Sequence, residues 1–399
     1  MTNRVLHFLL LTVLLLLAGC STTAHRGVDG HVPIRKAVTE TPEDQLLDVW
    51  IELFDPGKLP ADAEEASGLS MDIREAEARY LPEQLRNTLE KTGYWGAVRV
   101  VPRGTEGSEV LVQGTILASD GEQLALAITA RDASGREWFE NTYRAEVTPE
   151  DYEAAARSQR EVFQSLYNSI ANDLAQYRST LVPADILAIR RVAEMRFATD
   201  LAPDAFGGYL QHDSDGRYRV RHLPARDDPM YRRVRAIRER DFLLIDTLDG
   251  HFDNFSREMQ QPYFDWRKAR TEEATALHEI ERDALKRKLL GIAAIAGAIA
   301  IEASGRGNGA TAGVLRDTMV IGGVYAIKSG FDKDSETQIN RDAIEELGES
   351  FSSEAHPLVV EVEGETHELT GSAEVQYAKW RALLKQIYAS ETGLPGTQD

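Results

Sequence analysis

Alternating apolar and polar positions predict a short α/β segment at the start of the folded chain. Residues 46–54 alternate and end at a Pro-Gly turn, which is typical of a strand. Residues 70–93 carry apolar positions at helical spacing, begin at a capping serine and stop at glycine. Strand-like runs follow at 95–101, 109–117, 123–130 and 137–147, with turn residues between them. We therefore predict one helix packed on a four-stranded antiparallel meander, in a fold that begins near Leu46.

Helical spacing dominates the chain after this segment. Residues 148–177 open with the residue types of a capping box and form the first predicted helix. A second helix is predicted at 183–198, and a short hairpin is predicted around 215–216. The longest amphipathic pattern runs from 229 to 301, where we expect Pro262 to kink or break the helix.

The first twenty residues have the order of a secretory signal peptide. Arg4 is the only Lys, Arg, Asp or Glu before Cys20, a mostly apolar run covers 8–17, and Leu-Ala-Gly stands at 17–19. A transmembrane helix is the alternative, but the run is shorter than the ~20 apolar residues that a span needs. The order Leu-Ala-Gly-Cys resembles the bacterial lipobox. This resemblance implies that lipid is attached to the Cys20 thiol, that the chain is cut before Cys20, and that Ser21, which is not Asp, favours the outer membrane.

Composition narrows the range of partners and chemistry. Cys20 is the only cysteine, so a lipidated chain has no thiol left for disulfides, metal binding or nucleophilic chemistry. The formal net charge of −20 repels nucleic acid and anionic lipid surfaces, and we therefore expect no nucleic-acid partner. With 399 residues, the chain is long enough for two or three domains that each bury a core.

Short sequences within residues 46–147 resemble a known periplasmic domain. They are Lys-Thr-Gly-Tyr at 91–94 after a helix, Val-Gln-Gly at 112–114, and Asp-Ala-Ser-Gly at 132–135. The pattern resembles the small α/β domain shared by the amino-terminal part of the Tol-Pal system's periplasmic protein, the curli-secretion lipoprotein and lipoprotein activators of peptidoglycan synthases. This resemblance implies an adaptor or assembly role.

An uncharged segment rich in alanine and glycine stands out in the helical part. Residues 289–301 contain no charge, a glycine-rich stretch follows at 304–309, and a second small-residue segment extends to about residue 330. We predict a helical hairpin with its turn at 304–309, in which flat strips of small side chains let two helices approach closely. The proposed helix-packing or oligomer strip consists of Ala293, Gly297, Gly322, Ala326 and Gly330.

Three interpretations of this hairpin remain open. A helix that is apolar all round is usually buried in a core. The strips can instead form a homo-oligomer contact, or the tip of the hairpin can dip into a bilayer. A full membrane span is disfavoured, because residues 289–301 form only ~20 Å of helix against a hydrocarbon core of ~30 Å.

Catalytic and metal-binding motifs are present only in incomplete form. His278-Glu279 lacks the second histidine of a zinc-protease helix, since arginine stands at 282. Residues 332–343 begin like a calcium loop but lack its glycine and its closing glutamate. The oxygens of 212–216 could bind a cation, yet Asp-Gly there is typical of a turn. The sequence predicts no catalytic residue, no metal ligand and no cofactor.

The predicted fold class is α+β. A small N-terminal α/β sandwich, with one helix on an antiparallel sheet, precedes a mainly α-helical body with a long helical hairpin. A C-terminal β-hairpin at 358–369 and a final helix, which Ser372 can cap, complete the chain. In order, the parts are a signal peptide, a lipidated tether, an α/β domain, a helical connector region, the long hairpin, and the terminal β-hairpin with its helix. Their predicted bounds are 1–19, 20–45, 46–147, 148–228, 229–352 and 353–399.

The function predicted from these features is that of an outer-membrane lipoprotein facing the periplasm. It would act as a structural or adaptor protein in envelope assembly or secretion, through contacts with envelope proteins of unknown identity and, as one possibility, with its own copies. The alternative is an envelope or cell-wall hydrolase whose site is assembled from distant residues. A deep polar pocket that gathers acids and histidines would favour the enzyme, whereas a flat apolar surface would favour the adaptor.

Overall fold

In a computed structural model of the protein, the described part of the chain comprises residues 24–28, 30–61, 69–225, 227–303, 342–346, 358–362 and 365–392. The helices are α1 Met71–Glu90, α2 Pro149–Ser158, α3 Gln164–Arg178, α4 Pro183–Leu201, α5 Pro203–Phe206, α6 Pro229–Ala303 and α7 Ala373–Thr392. The strands are β1 Ala24–Gly27, β2 Val49–Glu52, β3 Val98–Val101, β4 Val110–Ser119, β5 Gln123–Asp132, β6 Glu137–Glu146, β7 Leu210–His212, β8 Tyr218–Val220, β9 Leu358–Val362 and β10 Glu365–Leu369. These elements confirm the α+β class.

A mixed six-stranded sheet lies at the centre of the fold, with strand order β1-β6-β5-β4-β2-β3. β4, β5 and β6 form the antiparallel part of the expected meander. The predicted four-stranded antiparallel meander is wrong at its first strand, because β3 pairs with β2 rather than with β4. β2 lies between β3 and β4 and is parallel to both. Every residue of β2 is buried, as expected of a strand covered on both faces, and α1 supplies the crossover that a parallel β2–β3 pair requires.

The folded part begins earlier than the sequence predicted. We expected a tether over 20–45, but β1 pairs with β6 in parallel, with Ala24 level with Asn141. Farther along, Asn168 of α3 donates from Nδ2 to the Val32 carbonyl at 2.7 Å. The segment has no apolar periodicity because it is held at the sheet edge and by polar side chains of α3, so its order could not be recognised from the sequence.

Capping residues set the helix starts that the sequence predicted. At the start of α1, Ser70 Oγ accepts the Ile73 amide at 3.2 Å, and the capping box of Thr148 and Asp151 is present at the start of α2. The single helix predicted over 148–177 is instead divided into α2 and α3. Gln159 adopts a left-handed backbone conformation with φ 51°, which ends α2.

The long amphipathic pattern forms one helix, α6, of 75 residues. At 1.5 Å per residue its length is ~110 Å. Pro262, which we expected to kink or break the helix, lies inside it without ending it. Its neighbours Tyr263 and Trp266 are almost fully buried, and this packing offsets the loss of one backbone hydrogen bond. The predicted apolar stripe is buried at Val234, Ile237, Leu244, Leu248, Phe252, Phe255 and Met259.

α6 crosses the sheet from one end to the other. β1, β2, β3, β4 and β6 run parallel to one another, so they begin at a common end, which we call the strand-start end. Near the beginning of α6, Asp246 pairs with Arg99 in β3. Farther along, the hydroxyl of Thr275 donates to Glu122 in the β4–β5 turn at 3.3 Å. α6 therefore enters beside the strand starts and continues past the β4–β5 turn.

The C-terminal hairpin of β9 and β10 and the final helix α7 are confirmed. Ser372 Oγ accepts the Val375 amide at 3.4 Å, and Arg381 joins α7 to Asp241 of α6 and Asp200 of α4. The expected turn at 304–309 and the return segment lie outside the described residues. None of the helices within the described ranges combines the length and apolar character that crossing a membrane requires.

Candidate functional site

A tight β-hairpin forms one wall of a cleft on the α4 side of the sheet. β7 and β8 pair antiparallel, which confirms the hairpin predicted around 215–216. The Asp213 carboxylate accepts the backbone amides of Asp215 and Arg217, both at 2.9 Å, and Nε of Arg219 at 3.0 Å. These hydrogen bonds, above all that of the Arg217 amide, hold the pKa of Asp213 below its usual range. Residues 212–216 thus form a turn, the structural alternative to a cation site.

The hairpin packs on the β5–β6 turn and on α4. The Tyr218 amide donates to the Ser134 carbonyl at 2.8 Å, and the Arg196 guanidinium lies 4.7 Å from the centre of the Tyr218 ring. Arg196 also donates to the Ala133 carbonyl at 3.0 Å, which joins α4 to the same turn. A cleft of about 710 Å³ lies among these three elements.

Arginine dominates the walls of this space, which we call the arginine cleft. β8 and its flanks contribute Arg217, Arg219 and Arg221, while α4 contributes Arg191 and the β5–β6 turn contributes Arg136. These side chains come from three distant parts of the sequence. A chain with a net charge of −20 therefore concentrates five permanent cations around one cleft.

The carboxylates that line the cleft already have partners. Asp132 accepts the indole N–H of Trp138 at 3.0 Å. Asp185 accepts the Val182 amide at 3.1 Å at the start of α4, and Asp213 is held by the hairpin turn. These acids support the walls of the cleft, and each carboxylate accepts a hydrogen bond from a group close to it in the sequence.

Most of the arginines lack a carboxylate partner. Within the described part of the chain, the arginines of the cleft that form no ion pair are Arg136, Arg191, Arg217 and Arg221. Among the described residues, Nε of Arg136 also has no hydrogen-bond acceptor, although it is buried. Leaving a buried donor unpaired costs ~1–3 kcal/mol, a cost that a bound acceptor would remove. The unpaired guanidinium groups and this buried donor together indicate a site for an anion.

The chemistry of the arginine cleft suits a phosphate or carboxylate group. A guanidinium group presents a planar fork of N–H donors that matches two oxygens of such an anion. At physiological ionic strength the field of a charge is screened over ~8 Å, so distant acids of the chain weaken this local attraction only partly. Ile189, Val192 and Leu223 add apolar surface to the walls. The cleft is thus able to hold an anionic group that carries an apolar part.

The sequence-based predictions do not include this site. The region around 215–216 is predicted only as a hairpin, although arginine at 217, 219 and 221 alternates with other residues. On a strand, alternate residues share a face, and this spacing was the available signal. Arg136 and Arg191 carried no such signal, because only the fold brings the β5–β6 turn and α4 beside β8.

A second concentration of charge is buried beneath α6 and has a structural role. Glu77 of α1 accepts hydrogen bonds from Ser119 Oγ at 2.6 Å and from the Tyr263 hydroxyl at 2.7 Å. Burial raises the pKa of Glu77 despite the nearby Arg74 guanidinium. Because these groups are packed between α1, β4 and α6, they hold the long helix against the sheet.

The other residues that the sequence singled out are only partly within the described chain. Ala293 and Gly297 lie four residues apart in the backbone of α6, where that spacing places them on one face. Cys20, Gly322, Ala326 and Gly330 lie outside the described residues, as does the calcium-like segment at 332–341. The three interpretations of the Ala/Gly-rich hairpin therefore stay open at this point.

The arginine cleft differs from the pocket that we expected of an enzyme. It contains one histidine, His222, whose ring lies 4.4 Å from that of Tyr209, and its acids are engaged in local hydrogen bonds. Across the described ranges, no group of three or more His, Cys, Asp or Glu residues could hold a metal ion. The geometry of the cleft thus supports binding of an anion.

Comparison with protein families, with curated proteins and with solved structures finds no match to this chain. The lipobox at Cys20 and the resemblance of residues 46–147 to periplasmic adaptor domains therefore stay predictions.

Proposed function

We propose that this protein is an outer-membrane lipoprotein that acts as an envelope adaptor. In this proposal the lipid on Cys20 holds the α/β body at the membrane, and α6 carries the Ala/Gly-rich segment away from it to contact other envelope proteins. The observation that supports it is the polarity of the fold: the chain enters β1 at one end of the sheet, and the long helix runs past the opposite end.

The position of β1 limits the distance between the body and the anchor. β1 begins at Ala24, only four residues after Cys20. An extended chain spans at most ~3.6 Å per residue, so Cys20 lies within ~14 Å of Ala24. Because β1 is parallel to β6, the chain enters β1 from the strand-start end of the sheet. This end would therefore face the membrane that holds the lipid.

The far end of α6 points in the opposite direction. After Thr275 meets the β4–β5 turn, the helix runs on to Ala303, which adds ~42 Å at 1.5 Å per residue. This direction favours a role in reaching a partner over the interpretation in which the tip dips into the anchoring bilayer. An adaptor requires such a separation, because it must contact the membrane at one end and a partner at the other.

Energy transfer to acceptor lipids should reveal this polarity in the lipidated protein on vesicles. Since the natural cysteine is acylated, one introduced cysteine gives a single dye position. A dye at Glu137→Cys, at the strand-start end, should transfer energy strongly to the acceptor lipids. A dye at Glu146→Cys, at the other end of β6, should transfer less energy to them. A dye at Glu302→Cys should show no transfer above background, because α6 holds residue 302 well beyond the range of the dye.

Equal transfer from residues 137 and 302 would overturn the proposed polarity and would support a membrane-dipping tip. Incorporation of labelled palmitate provides the control for the anchor: the natural chain should be labelled and Cys20→Ser should not. A natural chain that stays unlabelled, or that keeps residues 1–19, would overturn the lipoprotein itself.

The small-residue strip gives a prediction about what the tip contacts. If the strip joins two copies, replacing Gly322 and Ala326 with leucine should separate them, because the added side chains prevent close approach of the helices. Light scattering in detergent should then show the mass falling to that of one chain. Ala154→Leu with Ser158→Leu, at the same spacing on the exposed face of α2, is the matched control and should leave the mass unchanged. A natural protein that is already a single chain would contradict the homo-oligomer and leave another envelope protein as the partner.

A further inference from the structure

We propose that the arginine cleft binds the phosphate of an anionic lipid headgroup in the membrane to which the protein is anchored. The position of the cleft relative to that membrane rests on the proposed function. The affinity of the cleft for the phosphate rests on the charges and packing of the cleft itself.

The cleft lies at the same end of the sheet as the entry to β1. Ser134 and Arg136, which line it, belong to the β5–β6 turn at the strand-start end. Ala24 is level with Asn141, five residues along β6 from Arg136, which is ~16 Å at 3.3 Å per residue. This distance is similar to the reach of the chain between Ala24 and Cys20. An acylated Cys20 would therefore keep the cleft within reach of the lipid headgroups.

The unpaired arginines match the chemistry of a lipid phosphate. Arg191 on α4 and Arg136 on the turn face a space that β8 closes with Arg217 and Arg221. A phosphate diester offers oxygens to more than one guanidinium fork at once. It would also give the buried Nε of Arg136 an acceptor.

The apolar walls favour a lipid over a fully polar anion. Leu223 lines the cleft and is 42% exposed. Ile189 and Val192 lie on the α4 side. Because Ile189 and Val192 are each only 4% exposed, Leu223 is the apolar side chain that can contact the glycerol and the first methylenes of a lipid, whereas inorganic phosphate would use the arginines alone. The net charge of −20 opposes a row of nucleic-acid phosphates and an anionic lipid surface alike, so the attraction for a lipid phosphate is confined to the unpaired arginines of the cleft.

Vesicle sedimentation tests the site without the anchor. The whole mature chain with Cys20→Ser should sediment with vesicles of equal parts phosphatidylcholine and phosphatidylglycerol, and not with vesicles of phosphatidylcholine alone. Arg217→Gln with Arg221→Gln should lower the partition coefficient roughly 25-fold, because each basic residue near an anionic surface contributes about fivefold. Arg191→Gln, on a different element, should lower it about fivefold.

The matched control removes the same charge elsewhere. Arg157→Gln with Arg257→Gln replaces two exposed arginines of α2 and α6 that lie outside the cleft, and it should leave the partition unchanged. Sedimentation that responds equally to both double variants would overturn the cleft as the site. If the Cys20→Ser chain with its natural cleft residues does not sediment with anionic vesicles, the proposal is overturned outright. Arg191→Gln does not change the hairpin. A loss of vesicle binding in this variant therefore cannot be ascribed to a hairpin that fails to fold.

Titration with inorganic phosphate separates the two possible sources of the anion. If inorganic phosphate binds and displaces the protein from anionic vesicles at equal phosphate concentration, the lipid assignment is wrong. Weak binding of inorganic phosphate with retained vesicle binding supports it. The anchor is tested separately by palmitate labelling: a labelled protein without vesicle binding contradicts only the cleft, and an unlabelled protein with vesicle binding contradicts only the lipoprotein.

Discussion

Replacing Arg267 with methionine should lower the free energy of unfolding by about 3–5 kcal/mol, the cost of breaking a buried ion pair by removing one partner. Nη1 and Nη2 of Arg267 donate to the two carboxylate oxygens of Glu161 at 2.7 and 3.1 Å. The arginine side chain is 1% exposed, and its guanidinium group also lies 4.2 Å from the centre of the Tyr263 ring. Without it, the Glu161 carboxylate stays largely buried and loses its cation.

Urea unfolding followed by circular dichroism measures this loss. Arg157→Met is the matched control, because Arg157 pairs with Glu153 on the surface of α2, and exposed pairs contribute ~0–1 kcal/mol. A double replacement of Glu161 and Arg267 by methionine should recover much of the loss, since a well-packed apolar pair can replace a buried ion pair. An Arg267→Met protein as stable as the Arg157→Met control would show that this pair does not hold α6 to the body.

Replacing Glu83 with glutamine should raise the free energy of unfolding at pH 8 by about 1–3 kcal/mol and leave it nearly unchanged at pH 5, since one pKa unit corresponds to ~1.4 kcal/mol. Glu83 is buried between α1 and α6, where Arg86 donates to one carboxylate oxygen at 3.0 Å. Its other oxygen is buried and has no hydrogen-bond partner within the described ranges. Burial, reinforced by Asp249 and Asp253, raises the pKa of Glu83 to about 8.

The direction of the pH dependence follows from this raised pKa. The folded protein holds the Glu83 proton more tightly than the unfolded chain, whose pKa is near the ordinary value of 4.5. The stability that the protonated carboxyl contributes is therefore complete below pH 4.5 and is lost as the pH rises towards 8. Burial also raises the pKa of Asp249 to about 6. The stability that its protonated carboxyl contributes is therefore lost within the same pH range. The contact between α1 and α6 should weaken as the solution becomes more alkaline.

Unfolding at a series of pH values checks this prediction. Glu90→Gln is the matched control, because Glu90 lies on the same helix and contacts the same Arg86 but is 46% exposed. The free energy of unfolding of Glu90→Gln, plotted against pH, should run parallel to that of the natural protein and differ from it by no more than ~1 kcal/mol. If the Glu83→Gln profile also runs parallel to the natural one, Glu83 is already ionised in the folded state and the assigned pKa direction is wrong.

Local patterns identified most of the individual elements. The apolar stripe of α6, the caps at Ser70 and Thr148, and the hairpins of β7–β8 and β9–β10 were all predicted. Each depends on residues that are close in sequence, since helix and strand periodicity and capping act over a few positions. Pro262 does not break the helix, and burial of its neighbours offsets the missing hydrogen bond.

Pairing between distant segments was beyond the reach of these patterns. Alternation predicts that β2 and β3 are strands but does not state which strand lies beside which, so the position of β2 between β3 and β4 was missed. β1 is a short and mostly polar edge strand with no alternation that would distinguish it from a tether. Arg267 looks like an ordinary charged helix residue in the sequence, and only the approach of Glu161 makes its burial stable.

The sequence by itself predicted most helices and strands of the body and the lipid on Cys20, because capping, periodicity and the residue order before Cys20 are local features that need no tertiary contact. Only the tertiary structure decided the order of the strands, the burial of Arg267 and Glu83, and the assembly of the arginine cleft from three separated segments. The physical reason is that burial and electrostatic interaction depend on distance in space, and long-range packing, rather than position along the chain, sets that distance.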